Sequence, residues 1–459
     1  AQADQLQRAT TSLRPDMIVA GEALWTLPER MQAYNVPGIS IAVVQDFQLA
    51  AAKAYGRVQA NLPAAPMTET TFQAASISKL VNAVGVLKLV ENDQLDLDQD
   101  INELLSTWQI PNAAKYPDVA VTTRMLLAHT AGLTTHGFGG YKSPEDLPST
   151  VEILNKAPGV NSGAVKLFKK PGGSFKYSGG GTVVTQLLIE ELTGQSYEDY
   201  MQQTVLRPLG MTQSFYSVNQ QGREDQLATA HWSNGKALKG KYHHYPESAP
   251  AGLWTTPSDL AKLMIDLMLT FKGETGHLLN PATAKEMLTP PNQEENNALG
   301  LFLRDKNGHL YFTHGGSNEG FKANFIGSTT EGFGAIVMHN GEQYDLIPEV
   351  LNGIAQAYAW PDWFGAQSTI DPNLKVDKAA WKGLTGKYVH EEKSDSKLEI
   401  IVKKGQLRLL RRKAFDLPLI PFAPNQYLLK GANPQVTVEF LAAGRIKVVQ
   451  GEENYFRKE

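Results

Sequence analysis

Residues 76–90 read Ser-Ile-Ser-Lys-Leu-Val-Asn-Ala-Val-Gly-Val-Leu-Lys-Leu-Val. Apolar side chains recur at Ile77, Leu80, Val81, Val84, Leu87 and Val90. That is the spacing of one helix face, and it predicts a long helix over 77–90. A serine and a lysine three apart open the stripe. Positions i and i+3 are neighbours on a helix, so Lys79 comes to lie beside the Ser76 hydroxyl. A hydroxyl is a poor nucleophile until a neighbour takes its proton. A helix N-terminus adds partial positive charge where an oxyanion would form. The same Ser-x-x-Lys spacing recurs at Ser233–Lys236 and Ser394–Lys397, in polar, turn-like stretches with no apolar helix following. Taken alone, Ser76 reads first as an ordinary N-cap.

Upstream, Met17, Ile18, Ala20, Leu24, Leu27 and Met31 predict a helix over about 15–34, ended by Pro37-Gly38. Ile39–Gln45 and Leu49–Tyr55 flank the short polar break at Asp46, a hairpin pattern. Downstream, residues about 95–300 read as helical segments broken by Gly and Pro loops, clearest at Val183–Leu192, Tyr197–Val205 and Ser258–Phe271. Strand character returns at His309–Thr313, Phe321–Ser328 and Phe333–His339, and a helix pattern covers Leu346–Tyr358. Two early and three late strands therefore share a sheet flanked by helices. The fold class is α+β, with an α-rich insertion. Pro361–Pro372 reads as a linker between a domain over 1–362 and a second over 372–459. In the latter, short strand-like runs at Leu398–Val402, Gln406–Leu410, Tyr427–Leu429, Val436–Leu441 and Ile446–Gln450 predict a small antiparallel barrel or sandwich.

The 459 residues allow about three domains. A formal net charge of −4 carries no electrostatic footprint for nucleic acid. There is no cysteine, which excludes disulfides, thiolate metal sites and a cysteine nucleophile. No apolar run approaches the ~18–20 residues of a membrane span. The first residues, Ala1-Gln2-Ala3-Asp4-Gln5, carry no initiator Met and no basic-then-apolar leader. Export to the periplasm or beyond, with a signal peptide removed, is the expectation; trimming is the plainer alternative.

Two more stretches carry chemistry. In Pro171-Gly172-Gly173-Ser174-Phe175-Lys176-Tyr177-Ser178-Gly179 a glycine-rich loop holds a phenol. Positive neighbours can lower its pKa from near 10 and make it a general base; alone, it reads first as a loop tyrosine packed over the core. In His314-Gly315-Gly316, following a strand that ends at Thr313, two glycines let a ligand approach the backbone. The Ser317 amide can then join the Ser76 amide around an oxyanion. His314 can anchor a carboxylate or tune Tyr177, and a strand-edge bulge is the alternative. His129, in Leu126-Leu127-Ala128-His129-Thr130-Ala131-Gly132-Leu133, reads as structural, and His243-His244 as surface. There is no Gly-x-Ser-x-Gly elbow, His-Glu-x-x-His, P-loop or Gly-x-Gly-x-x-Gly.

Taken in order, these elements resemble the serine penicillin-recognising superfamily on its class C β-lactamase side, which also holds D,D-peptidases, D-aminopeptidases and carboxylesterases. The resemblance covers about residues 20–360. It also rests on the acidic segment at Asn92–Asp100, on Thr122–Leu133, on Pro208-Leu209-Gly210-Met211 and on Ala251-Gly252-Leu253-Trp254-Thr255-Thr256. It implies a penicillin-binding-protein-like antiparallel sheet flanked by helices. Residues 374–459 are similar to the lipocalin-like module found after such domains.

The resemblance further implies an acyl-enzyme hydrolase without metal or organic cofactor. Ser76 would be the nucleophile, with Lys79 and Tyr177 moving protons. Ser76, His314, Gly315, Gly316, Ser317 and Gly179 would surround the oxyanion and the substrate. Two motifs depart from the family pattern. Gly179 stands where the second motif has Asn, and His314-Gly315 where the third has Lys-Thr. Both shift the expectation from a β-lactamase or D,D-carboxypeptidase toward hydrolysis of a small ester, amide or short peptide, one with a D-residue included. A penicillin-binding-like sensor of cell-wall fragments is the reading from another class.

Overall fold

Gly38-Ile39-Ser40-Ile41-Ala42-Val43-Val44 is buried at every position, as suits a central strand covered on both faces. This strand (β1, Gly38–Gln45) turns through Asp46 and Phe47, both at positive φ, into the half-exposed edge strand β2 (Gln48–Gly56). The structure is a computed structural model. It describes residues 2–59, 65–216, 222–292, 295–364, 369–371, 374, 376, 378–411, 416–430, 436–450 and 452–459.

Four late strands complete a six-stranded antiparallel sheet: β3 (Phe302–Lys306), β4 (His309–Asn318), β5 (Phe321–Ser328) and β6 (Gly334–His339). Their order is β2-β1-β6-β5-β4-β3. Helices α1 (Gln2–Thr11), α2 (Ser78–Glu91), α3 (Gly179–Thr193), α4 (Pro257–Phe271) and α5 (Leu346–Ala357) build the rest of the positioning frame. α4 packs on β1 and β6, and α5 on β6 and α1. Leu80, Val81, Val84 and Leu87 of α2 share one core with Val183 and Leu187 of α3 and with Leu260 and Leu263 of α4.

Several sequence expectations need correction. The helix over 15–34 shrinks to Leu27–Ala33, because a capping box between Thr26 and Glu29, with proline in the first turn, starts the helix there. Ile18–Val19 instead pairs in parallel with Thr369–Ile370. The helix over 77–90 runs from Ser78 to Glu91 and is buried nearly all round, including Ser78, Lys79 and Asn82. The last strand group gains β3. β4 runs five residues past Thr313, in unbroken register with β5, so His314-Gly315-Gly316 is strand and not a bulge.

Clustering of contacts divides the chain into two units: Ala1–Thr11 with Thr26–Asp362, and Ser12–Trp25 with Trp363–Glu459. The second unit holds a closed antiparallel barrel of eight strands, from Gly386–His390 to Glu452–Lys458, each paired with its sequence neighbour and the last with the first. Leu398, Ile400, Leu407, Leu409, Leu419, Tyr427, Val438, Ile446 and Phe456 fill it. Three strands escaped the sequence pattern: Gly386–His390, the proline-bearing Asp416–Ala423 and the polar Glu452–Lys458. Closure leaves no unpaired edge, which favours a barrel over a sandwich. Residues 365–368 and 372 of the expected linker lie outside the described residues. No helix among the described residues is long and apolar enough to cross a membrane.

Candidate active site

Ser76 is the only residue from Thr71 to Leu87 that is not buried. The chain reaches it from the short strand Phe72–Gln73 through Ala75, held at φ 50°. Positive φ strains a non-glycine residue, and such strain collects at functional sites. One 3₁₀ turn, Ala75–Ile77, then leads into α2. The i, i+3 spacing does what the sequence predicts: Lys79 Nζ donates to Ser76 Oγ at 3.0 Å. It donates also to the Pro250 carbonyl at 3.0 Å. Lys79 is 4% exposed, so water cannot easily replace either partner. The polar groups of this deeply placed helix are satisfied. Asn82 Nδ2 donates to Thr185 Oγ1 at 2.9 Å, Tyr197 OH donates to Asn82 Oδ1 at 3.1 Å, and the Leu253 amide donates to Ser78 Oγ at 3.1 Å.

Tyr177 arrives from the loop ahead of α3, whose N-cap is Ser178; the Ser178 hydroxyl accepts from the Gly181 amide at 2.9 Å. The Tyr177 ring lies 4.9 Å, at its centroid, from Lys79 Nζ. The three expected groups therefore converge, with the ammonium over the ring face. The Tyr177 hydroxyl makes no hydrogen bond to Ser76 or Lys79. Two histidines clamp the ring, His129 at 4.4 Å and His136 at 4.9 Å between centroids. His129 is buried, as expected, and its Nδ1 accepts the Ser178 amide at 3.2 Å. Burial, then the Lys79 charge, depresses the pKa of His129; burial, then Lys176 and Lys79, depresses that of His136.

The third stretch comes from β4. A Cβ at Gly316 would stand 2.2 Å from the Ala74 carbonyl oxygen, so only glycine lets this strand lie against the turn that carries Ser76. A Cβ at Gly315 would stand 2.8 Å from Tyr344 OH, which also accepts from Asn324 Nδ2 at 3.1 Å. Tyr344 thus occupies the room a threonine would need, and nothing in the sequence spacing pointed to it. Ser317 is exposed, opposite Lys322 of β5.

His314 differs from expectation. It is 3% exposed, Nδ1 pairs with the Gly315 carbonyl at 2.7 Å, and Nε2 is buried without a partner. Burial first, then the Lys79 ammonium, pushes its pKa down to about 3. His314 is neutral at ordinary pH, so it cannot anchor a carboxylate as a cation. With Nδ1–H donating, Nε2 offers a lone pair.

Gly179 also needs correction as a substrate contact. It is buried, and its amide donates to the His136 carbonyl at 3.0 Å. A Cβ there would meet Phe138 Cε2 at 2.8 Å and the His136 oxygen at 3.0 Å. The family's asparagine has no room. Gly179→Asn is expected to cost about 1–3 kcal/mol through overpacking, read as a lower melting temperature, without gain of β-lactam turnover. Unchanged stability would show that Phe138 and His136 yield freely.

His243 and His244, expected on the surface, are each 8% exposed. Tyr141 and His244 exchange backbone bonds, and His243 Nδ1 pairs with the Gly139 carbonyl at 2.8 Å, which turns both histidines inward. Glu247, not singled out from the sequence, is fully buried, and neither carboxylate oxygen has a partner. Burial pushes its pKa from 4.5 up to about 7. A carboxyl raised on folding contributes stability that is full below the unfolded pKa and is lost as pH rises through the folded one. Glu247→Gln, which never ionises, should therefore gain melting temperature over wild type as pH climbs from about 4.5 to 7. A pH-independent difference would rule this out.

A family model described as Beta-lactamase matches residues 26–355. Protein flp of Staphylococcus aureus (strain N315) is 25% identical over 330 residues, covering 69% of this chain and 60% of that protein, so the chain spans about three fifths of its length. Among solved structures, the octameric penicillin-binding protein homologue from Pyrococcus abyssi superposes with a TM-score of 0.64 at 21% identity, covering 94% of this chain and 98% of the other. The D-amino acid amidase from Ochrobactrum anthropi SV3 complexed with L-phenylalanine gives 0.59 at 19%, covering 78% and 99%. These two likenesses are of fold.

Proposed function

The chain belongs to the β-lactamase family, and from that premise we propose that it is a serine hydrolase acting through an acyl-enzyme on Ser76. One observation carries the reading: the only accessible side chain of a buried stretch has its hydroxyl 3.0 Å from a buried lysine. Ser76 Oγ attacks a carbonyl carbon while the Lys79–Tyr177 pair takes the hydroxyl proton. The Ser76 and Ser317 amides hold the oxyanion. The carbonyl collapses, the bond to the leaving oxygen or nitrogen breaks, and that atom takes the proton back from Lys79 through Tyr177. Water then attacks the acyl carbon by the same route in reverse, releasing the acid and restoring Ser76.

The substrate we favour is a small ester or a short amide, one bearing a D-residue included. Two features of the site support it over a β-lactam or a free C-terminal carboxylate. Neutral His314 supplies no cation. Gly315, closed in by Tyr344, supplies no hydroxyl. The fold shared with a D-amino acid amidase agrees.

The test assays the purified protein side by side on a short-chain nitrophenyl ester, D-phenylalanine amide, a D-alanyl peptide anilide and a chromogenic cephalosporin. Intact mass is measured after a fluorophosphonate probe. Turnover of the ester or the D-amide ahead of the cephalosporin, with one adduct on Ser76, is the expected result. No turnover and no adduct from either the fluorophosphonate or a penicillin would leave a binding module instead. A cephalosporin turned over fastest would overturn the substrate assignment.

A further inference from the structure

The aromatic cluster that holds Tyr177 extends past it to Phe175 and Phe302. Phe175 precedes Tyr177 by two residues, and the rings of both meet that of His129, at 6.0 and 4.4 Å between centroids. Phe175 is 38% exposed, among the few large apolar side chains that are. Its ring meets that of Phe302 edge-on, 5.8 Å between centroids and 79° apart, and that of His129 at 6.0 Å. Phe302, half-buried, stacks toward His129 at 6.5 Å and 10°. The backbone beneath Phe175 is tethered, its amide donating to Glu295 Oε1 at 3.0 Å. The exposed ring therefore has a fixed base and an aromatic backing.

We infer that Phe175 and Phe302 form a subsite for an aromatic or bulky apolar leaving group. The inference rests on the proposed reading of Tyr177 as the group that returns the proton. A proton donor must stand beside the departing atom. Whatever that atom carries then continues outward from Tyr177, onto Phe175 and Phe302. Apolar walls next to a few placed polar groups are the usual make-up of a small-molecule site, and ring-on-ring contact adds to simple burial. The group accepted is the alcohol half of an aryl-bearing ester, or the amine half of an arylamide. Ser76 Oγ bonds to the acyl carbon, the acyl C–O or C–N bond breaks, and the departing oxygen or nitrogen takes the proton.

Two ester series decide the matter on the whole 459-residue chain. One keeps acetate and varies the alcohol from ethanol to benzyl alcohol to naphthylmethanol. The other keeps ethanol and varies the acid from acetate to phenylacetate to naphthylacetate. Phe175→Ala is expected to lower kcat/KM about 10- to 100-fold on benzyl and naphthylmethyl acetate, chiefly through KM, with a smaller loss on ethyl acetate. Phe175→Leu and Phe302→Leu should fall between, and melting curves recorded alongside separate a loss of fold from a loss of contact. An equal loss along the alcohol series would overturn the subsite, since a disturbed loop penalises every substrate alike. A loss that follows the acid series would overturn its placement on the leaving-group side. A wild-type protein inert on every ester, with no fluorophosphonate adduct on Ser76, would instead overturn the hydrolase reading beneath it.

Discussion

Ser76→Ala is expected to abolish turnover, by about a million-fold in kcat if the reading of Ser76 as nucleophile holds, while the protein stays folded. The reason lies in what the hydroxyl does and does not touch. Its protein partner is Lys79 Nζ. It caps no helix: α2 has Ile77 at its N-cap position and the preceding turn has Ala74, and neither makes a side-chain cap. An N-cap serine would lose about 1 kcal/mol on truncation. A half-exposed serine outside the cap should lose less, because water replaces its bond. The variant should melt near wild type, lose its fluorophosphonate adduct and show no steady-state activity. Wild-type-like rates would end the mechanism; a large drop in melting temperature would return Ser76 to a structural role.

Lys79→Met should be the next most damaging change. A methionine nearly fills the buried volume of the lysine stem, so the packing of α2 survives. The ammonium, however, is the group that pairs with both Ser76 Oγ and the Pro250 carbonyl. Loss of a positioned general base is worth roughly 10²–10⁴ in rate. An unpartnered buried carbonyl adds about 1–3 kcal/mol of destabilisation. A third readout separates charge from shape. The Lys79 charge is, after burial, a cause of the low pKa values of His129 and His314. Without it, both should titrate nearer to their ordinary range, followed by histidine NMR resonances. A variant with full activity, or histidines that do not move, would remove Lys79 from the base role or from the neighbourhood of the ring cluster.

Much of this was legible in the chain itself. The stripe from Ile77 to Val90, the hairpin around Asp46 and the β-rich tail are local patterns, set by periods of 3.6 and 2 and by turn residues. The errors share a cause. The helix predicted over 15–34 crosses Gly21, at positive φ, and Pro28, which lies in the first turn of the observed helix. β3 and three barrel strands carry charges and prolines that obscure alternation, and they are strands because neighbours pair with them.

The sequence by itself determined how Ser76 meets Lys79, because one helical turn fixes that neighbourhood. Only the tertiary structure decided that Tyr177 turns its ring to the Lys79 ammonium, that His314 is neutral, that Tyr344 replaces a threonine and that Gly179 has no room for asparagine. Protonation and steric room are sums over groups that are distant along the chain and adjacent in space. Burial sets those sums, and no local pattern reports it.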